Sequence, residues 1–406
     1  MISKSNKKYY LFLCIFYIVI FRDLCSPIIP LLDDLDEVYA LIAIPLFIYK
    51  IFKNMKAIIK KNTYSIWIFI FILVGLLSSI CYHYQPLIIV IHDLVINLKF
   101  WLAIYVSLEL FKGFDLYEHS NAISKHIKLV IWIYIMLILL DNLSGGIFPA
   151  AIRYGMRSTQ LFYGAHTVFC ATCVFILSIL SIIQKETKNT KFYQILILIL
   201  IGSTLRSKAF GAIILYIIMY YYIYIKEKRL KISNIIGILV ACILVGWSQI
   251  EYYFFSEISD GAARNLLLKY SFHVANDHFP LGSGFGTYAS YYSGVSYSPL
   301  YERYGLSGVW GLTRNYPAFI SDTFWPMLIA QFGYIGLSMF VIALYKLFVQ
   351  IGKLKSISKD YYLGVLFCFG YLCISSMAET AFCGYISIPF AFIIGISLNQ
   401  IDIIKE

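Results

Sequence analysis

The sequence predicts an all-α, polytopic integral membrane protein with about 12 transmembrane helices and one large extracytoplasmic loop. Three observations carry that prediction. Hydrophobic residues fill 60% of the 406 positions and charged residues only 14%, which sets the chain apart from ordinary soluble domains. Apolar runs of spanning length recur from Tyr9 to Leu398. Lys and Arg collect between those runs rather than inside them.

A bilayer core of about 30 Å takes about 20 apolar residues in a helix. The first span, Tyr9–Phe21, follows Lys4, Lys7 and Lys8 as a signal peptide would, yet no small-residue cleavage site comes after it, so it reads as an uncleaved helix. Val38–Phe52 runs into the lysines from Lys50 to Lys61, and Tyr64–Tyr82 and Pro86–Phe111 form the next pair. Ile127–Leu140 follows Lys112, Lys125 and Lys128, while Phe162–Ile183 closes at Lys185 and Lys188. Phe192–Leu205, Ala209–Ile225 and Ile232–Ile250 complete a nine-span region over residues 1–250. An extracytoplasmic segment of residues 251–317 follows, and Ala318–Tyr345, Tyr361–Met377 and Thr380–Leu398 make a three-span region over 318–406. The whole is read as one membrane domain, its first, fifth and seventh spans being short.

Orientation follows from the cations, because loops rich in Lys and Arg resist translocation. With the amino terminus inside, cytoplasmic segments hold 23 of the 33 Lys and Arg residues. The outer side keeps Arg22, Arg153, Arg157, Arg206, Lys208, Arg264, Lys269, Arg303 and Arg314, and Lys99 lies within a span. Both termini are then cytoplasmic. The net charge of +11 is thereby explained by short cytoplasmic loops beside anionic lipid, and nucleic-acid binding is set aside.

Most of the nine cysteines lie in apolar runs, and the Cys170-Ala-Thr-Cys173 spacing reads as packing because no polar partners surround it. No zinc spacing, Walker loop or EF-hand loop occurs. Gly282-Ser-Gly284-Phe-Gly286 follows a proline rather than a strand, so these are turn glycines and not a dinucleotide loop. The 251–317 segment is rich in Tyr and Phe interleaved with Gly, Ser and Pro, a composition that suits sugar faces but on its own reads first as burial in the headgroup region.

Outer arginines run against the orientation rule, so each has the more need of a specific partner. Arg153 and Arg157 are four apart, on one face if that loop is helical. Arg206 and Lys208 sit between two spans, and Arg264 opens the long polar stretch RNLLLKYSFHVANDHFPLGSGFG. Guanidinium forks match phosphate oxygens, so a convergence of these arginines would hold a pyrophosphate; snorkelling or pairing with Glu251, Glu257 and Asp260 is the plainer alternative.

Arg264 followed after fifteen residues by Pro280-Leu281-Gly282-Ser-Gly284-Phe-Gly286 resembles a signature of the O-antigen polymerase and O-antigen ligase superfamily of bacterial envelope proteins. Gly202-Ser-Thr-Leu-Arg206-Ser-Lys208, Arg153 to His166, and Asp322-Thr-Phe-Trp-Pro with Gln331-Phe-Gly333-Tyr-Ile-Gly336 resemble other stretches of that family, in the same order. The resemblance implies a metal-independent glycosyltransferase without cofactors in the bacterial cytoplasmic membrane. Its donor would be an undecaprenyl-diphosphate-linked oligosaccharide, and its neighbours in the cell a chain-length regulator and a flippase. It implies pyrophosphate binding by Arg153, Arg157, Arg206 and Arg264, and a base drawn from Asp322 and His278. Ser321-Asp322-Thr323 stands where ligases of the family carry a histidine, which is similar to capsule and exopolysaccharide polymerases. The ligase is the alternative within the family. A transporter is the alternative outside it, resting on His92, Asp93 and Lys99 in the fourth span.

The charge partition is testable in intact cells, in a background stripped of native cysteines. A cysteine at Ser259 or Ser298 should react with an impermeant thiol reagent and one at Ser356 should not. Labelling at Ser356 without permeabilisation overturns the orientation.

Overall fold

The computed structural model describes residues 4–227, 237 and 262–403. The protein is 70% helix with almost no sheet, so the all-α class holds. In order come α1 (Lys4–Cys25), α2 (Leu35–Lys61), α3 (Ser65–Tyr82), α4 (Leu87–Leu110) and α5 (Ser120–Leu143). A two-residue-per-strand hairpin, β1 (Ile152–Arg153) and β2 (Met156–Arg157), precedes α6 (His166–Ile182), α7 (Thr190–Ser203) and α8 (Ser207–Tyr220). After the undescribed stretch follow α9 (Ala263–Asp277), α10 (Tyr291–Val295), α11 (Pro299–Arg303), α12 (Trp325–Gly352), α13 (Lys359–Ser375) and α14 (Ser387–Leu398).

Among the described residues five helices are long and apolar enough to cross a membrane: α3, α4, α5, α8 with the π turn that extends it to Ile225, and α12 with its following turn. Apolar helices of this length mark a membrane-embedded protein. The remaining expected spans differ for physical reasons. α6, α7 and α14, of 17, 14 and 12 residues, are apolar but rise only about 26, 21 and 18 Å. α1 and α2 are long, but α1 carries Lys4, Lys7, Lys8, Arg22 and Asp23 within its length, and α2 opens on Asp36 and Glu37. The stretch Ile232–Ile250 lies outside the described residues, as do Glu251, Glu257 and Asp260. α5 extends well beyond the run drawn at Ile127–Leu140, whereas α12 begins seven residues after Ala318 because Asp322 and its neighbours belong to the preceding loop.

Helix pairs α4 with α14, α3 with α12, and α6 with α13 make the main packing contacts, and α9 lies against α12. The seam between α3 and α12 positions the glycine run. α12 breaks at Gly333, whose φ of 59° and ψ of −167° leave the helical region. The break turns the carbonyls of Ala330 and Gln331 toward the glycine run, where Ser283 N and Gly284 N donate to them at 2.9 and 2.8 Å. From the other side Ser78 Oγ donates to the Gly282 carbonyl, and Phe285 N donates to Ser79 Oγ at 2.9 Å. Gly282 has a φ of +80°, and a Cβ there would stand 2.6 Å from the Gln331 carbonyl oxygen. No side chain fits at that crossing.

The polar residues of α4 serve the same seam. Gly286 N donates to Asp93 Oδ2 at 2.8 Å from a fully buried position, and Gln85 Nε2 bridges the carbonyls of Gly286 and Ser296 at 2.9 and 2.7 Å. Lys99 is paired with Asp36 of α2, and the His92 ring lies 4.9 Å from that of Tyr292. His92, Asp93 and Lys99 therefore each have a partner within the fold.

Ser298 is fully buried as the N-cap of α11, so a reporter cysteine on the loop belongs at exposed Asn315 instead. For the seam itself, Gly282→Ala should cost about 3 kcal/mol, from overpacking against fixed backbone plus left-handed strain. Gly113, with a φ of +72° and open space around it, is the control that carries strain alone, about 1 kcal/mol for the same substitution. Melting of the purified variants in detergent measures both; equal shifts would mean that the crossing has room.

Candidate functional site

The sequence-predicted residues come together in two groups, each built by different elements. The first surrounds His166 at the start of α6. Arg206, the N-cap of α8, places Nη2 2.9 Å from His166 Nδ1. A guanidinium only donates, so Nδ1 must accept and the imidazole carries its proton on Nε2. That N–H donates to Ser158 Oγ at 2.7 Å, and the hydroxyl in turn donates to the Ala151 carbonyl at 2.7 Å. The chain of bonds fixes one tautomer and ties the β1–β2 hairpin to α6 and α8.

Arg153 and Arg157 do not share a helical face. The segment is a hairpin in which Ile152 faces Arg157 and Arg153 faces Met156, turning through Tyr154 and Gly155 with φ of 52° and 73°. Positive φ at both central residues is the geometry of a tight hairpin turn. Arg157 reaches back to the end of α5, donating to the Phe148 carbonyl at 2.6 Å and pairing with Asp141 at 3.2 Å. The Arg153 side chain makes no hydrogen bond or ion pair with another described residue and lies close enough to act on the His166 ring electrostatically. Two residues after Arg206, Lys208 is held by Glu379 at 2.6 Å. Cations at a helix N-terminus oppose the helix dipole.

Beside this group opens an apolar cleft of about 210 Å³ between α1, α2, α6 and α14. Its walls include Ala171, Phe175 and Pro389, and its outer end carries Arg22, Asp23 and Asp36. The Arg22 guanidinium lies 3.7 Å over the Tyr385 ring, and Asp23 Oδ2 accepts Gly164 N at 2.9 Å, two residues before His166. The mouth and the His166 group thus share one loop.

The second group is Arg264, in the first turn of α9, and Asp322, just before α12. Arg264 Nη2 donates to Asp322 Oδ2 at 3.0 Å, with about a third of each side chain exposed. Asp322 N is itself held by the Phe319 carbonyl at 3.3 Å.

His278 is elsewhere employed. It is 1% exposed, with Nδ1 against the Val274 carbonyl at 2.7 Å and Nε2 against Tyr84 OH at 2.8 Å. The carbonyl can only accept, so Nδ1 donates and Nε2 takes the Tyr84 proton, while Arg303 donates to the same tyrosine oxygen at 3.0 Å. The ring closes α9 and aims the Pro280–Gly282 turn; it reaches no open space. Sequence reasoning named His166 only as the end of a family-like stretch and Asp93 only in support of a transporter, and placed neither beside its partner. The signals for those partners were no more than a histidine at the head of a span and an acid in the span opposite a glycine run.

Burial pushes the His278 imidazole below its ordinary range, with Arg303 adding to that effect and the Val274 hydrogen bond working against it. The neutral ring is the folded form, so its contribution to stability is complete above about pH 6.5 and is lost as pH falls through the lower folded value. The melting temperature of the wild type should therefore drop more between pH 7.5 and 5 than that of His278→Asn. Parallel slopes would mean that this ring titrates freely.

No protein-family model matches the sequence, and no curated protein matches it.

Proposed function

We propose that the protein is a membrane glycosyltransferase of the bacterial cytoplasmic membrane, crossing it about 12 times with both termini inside. On the outer face it joins oligosaccharide repeat units carried on undecaprenyl diphosphate into O-antigen, capsular or exopolysaccharide chains. One observation carries the reading: Arg206 is bonded to an imidazole that accepts from it, with Arg153 near enough to act on that ring, and the loop before this histidine is tied through Gly164 to Asp23 in the wall of an apolar cleft between helices. An imidazole acceptor positions the guanidinium by a bond that a carboxylate does not share, which suits a diphosphate whose lipid lies in the cleft.

In the step proposed, a hydroxyl of the acceptor unit attacks the anomeric carbon of the donor. The bond from that carbon to the diphosphate breaks, and its electron pair leaves with the diphosphate. Arg153 and Arg206 offset the charge that develops there. The hydroxyl proton passes to Asp322. Arg264 holds this carboxylate in the resting state, and its turning toward the donor pyrophosphate frees both oxygens of Asp322 for that proton. Arg157, tied to Asp141, and His278, closed within its turn, have no part in the step.

Complementation of a deletion strain tests this. Arg206→Ala and Arg264→Ala should each lower polymer formation by about 10²-fold or more while single units accumulate on lipid, as expected for a lost charge-assisted contact. Arg264→Lys should rescue poorly, since a point charge replaces a planar fork. Arg157→Ala should stay near wild type. A normal ladder from well-folded Arg206→Ala and Arg264→Ala proteins overturns the reading. In the deletion itself, long chains stranded on the lipid carrier would indicate a ligase, and single units trapped on the cytoplasmic side a flippase.

A further inference from the structure

The loop between α11 and α12 presents aromatic rings that packing does not explain. Trp310 is 68% exposed and Tyr316 47% exposed, although both belong to a well-fixed turn. Phe319 N donates to the Gly311 carbonyl at 2.9 Å, Thr313 and Tyr316 form an antiparallel bridge, and Tyr297 OH donates to the Leu312 carbonyl at 2.7 Å. The Trp310 ring centre lies 5.5 Å from that of Tyr316 and 5.0 Å from that of Phe319. Exposed apolar surface held rigid by its own backbone marks a recognition surface.

Its rim is polar and planar. Arg314 pairs with Glu302 at 3.0 Å while both stay largely exposed, and its guanidinium lies 5.1 Å from the Tyr297 ring centre. Asn315 is exposed beside them. Rings flanked by forked donors and a carboxylate match a pyranose, which offers C–H faces for stacking and hydroxyls around its edge. A bilayer anchor would be less interrupted by charge.

The shelf also points somewhere. Phe319 is three residues before Asp322 and its carbonyl holds the Asp322 amide. We infer that Trp310, Tyr316 and Phe319, with Arg314 and Glu302, form a docking subsite for an oligosaccharide chain that leads to Asp322 and Arg264. This rests on the glycosyltransferase reading for its direction, though binding of saccharide by the shelf stands independently of transfer.

The experiment is oxidative footprinting of the purified full-length protein, with mass spectrometry reading Trp310 alone. The probe is the host strain's surface polysaccharide, freed of lipid and trimmed to a few repeat units, against dextran of equal length. The repeat-unit fragment should slow oxidation of Trp310 about three- to tenfold, as one stacked ring would, and dextran should not. Trp310→Ala should raise the acceptor KM by a similar factor with kcat little changed, and Trp310→Tyr should recover most of it. Arg264→Ala should leave the footprint intact, which separates the shelf from the chemistry. A footprint in the fragment together with normal polymer from Arg206→Ala and Arg264→Ala would keep the shelf and remove the transferase. No protection by the fragment, with Trp310 shielded instead on reconstitution into phosphatidylethanolamine and phosphatidylglycerol vesicles, overturns the subsite and makes the rings an interfacial anchor.

Discussion

The crossing of Gly282 and Gly333 is the contact on which the arrangement of α3, α9 and α12 depends. Two backbones meet there at a distance that admits no Cβ on either side, the helical one broken and the loop one in a left-handed conformation. Breaking α12 exposes carbonyls in a setting without water, where each unmet polar group costs several kcal/mol. The glycine run supplies the missing donors, so the break and the loop stabilise each other and neither persists alone. Through this seam α9, which carries Arg264, and the start of α12, which follows Asp322, are held against the same helix.

The buried polar residues nearby follow from that constraint. Asp93, Gln85, Ser78 and Ser79 all spend their hydrogen bonds on the glycine run or its flanks. An acid inside a span is ordinarily read as part of an ion or proton path. Here Asp93 Oδ2 accepts a backbone amide and Lys99 pairs with Asp36, so both are engaged within the fold. His278 belongs to the same scaffold, its two nitrogens fixed by Val274 and Tyr84 so that α9 ends where the turn must begin.

What was legible in the chain was what is local. Hydropathy is a property of neighbouring residues, so α3, α4, α5, α8 and α12 could be placed from composition, and the turn glycines at 282, 284 and 286 from their spacing. Helix ends were less legible where a tertiary contact sets them, as at α12, whose start waits on the loop around Asp322. The spacing of Arg153 and Arg157 pointed to a helix face, while the Tyr154-Gly155 turn between them made a hairpin; the glycine was the signal to weigh. Partners across the fold left no local trace. Tyr84 is 194 residues from His278 and Asp93 is 193 from Gly286, and no periodicity records such pairs. Arg264 and Asp322, 58 apart, were singled out separately and meet as a pair.

Charge alone does not sort the outer cations, but the kind of partner does. Arg157, Lys208 and Arg314 each face a carboxylate at 2.6 to 3.2 Å, and an anionic ligand could recruit them only by breaking an existing ion pair. Arg22 is bound to two backbone carbonyls and covered by Tyr385 as well. Arg206 differs in giving a hydrogen bond to an imidazole whose other nitrogen is already committed to Ser158. That bond positions the guanidinium through a neutral ring rather than through a carboxylate. A cation positioned before its ligand arrives needs no reorganisation when charge develops, which is what the proposed diphosphate site calls for.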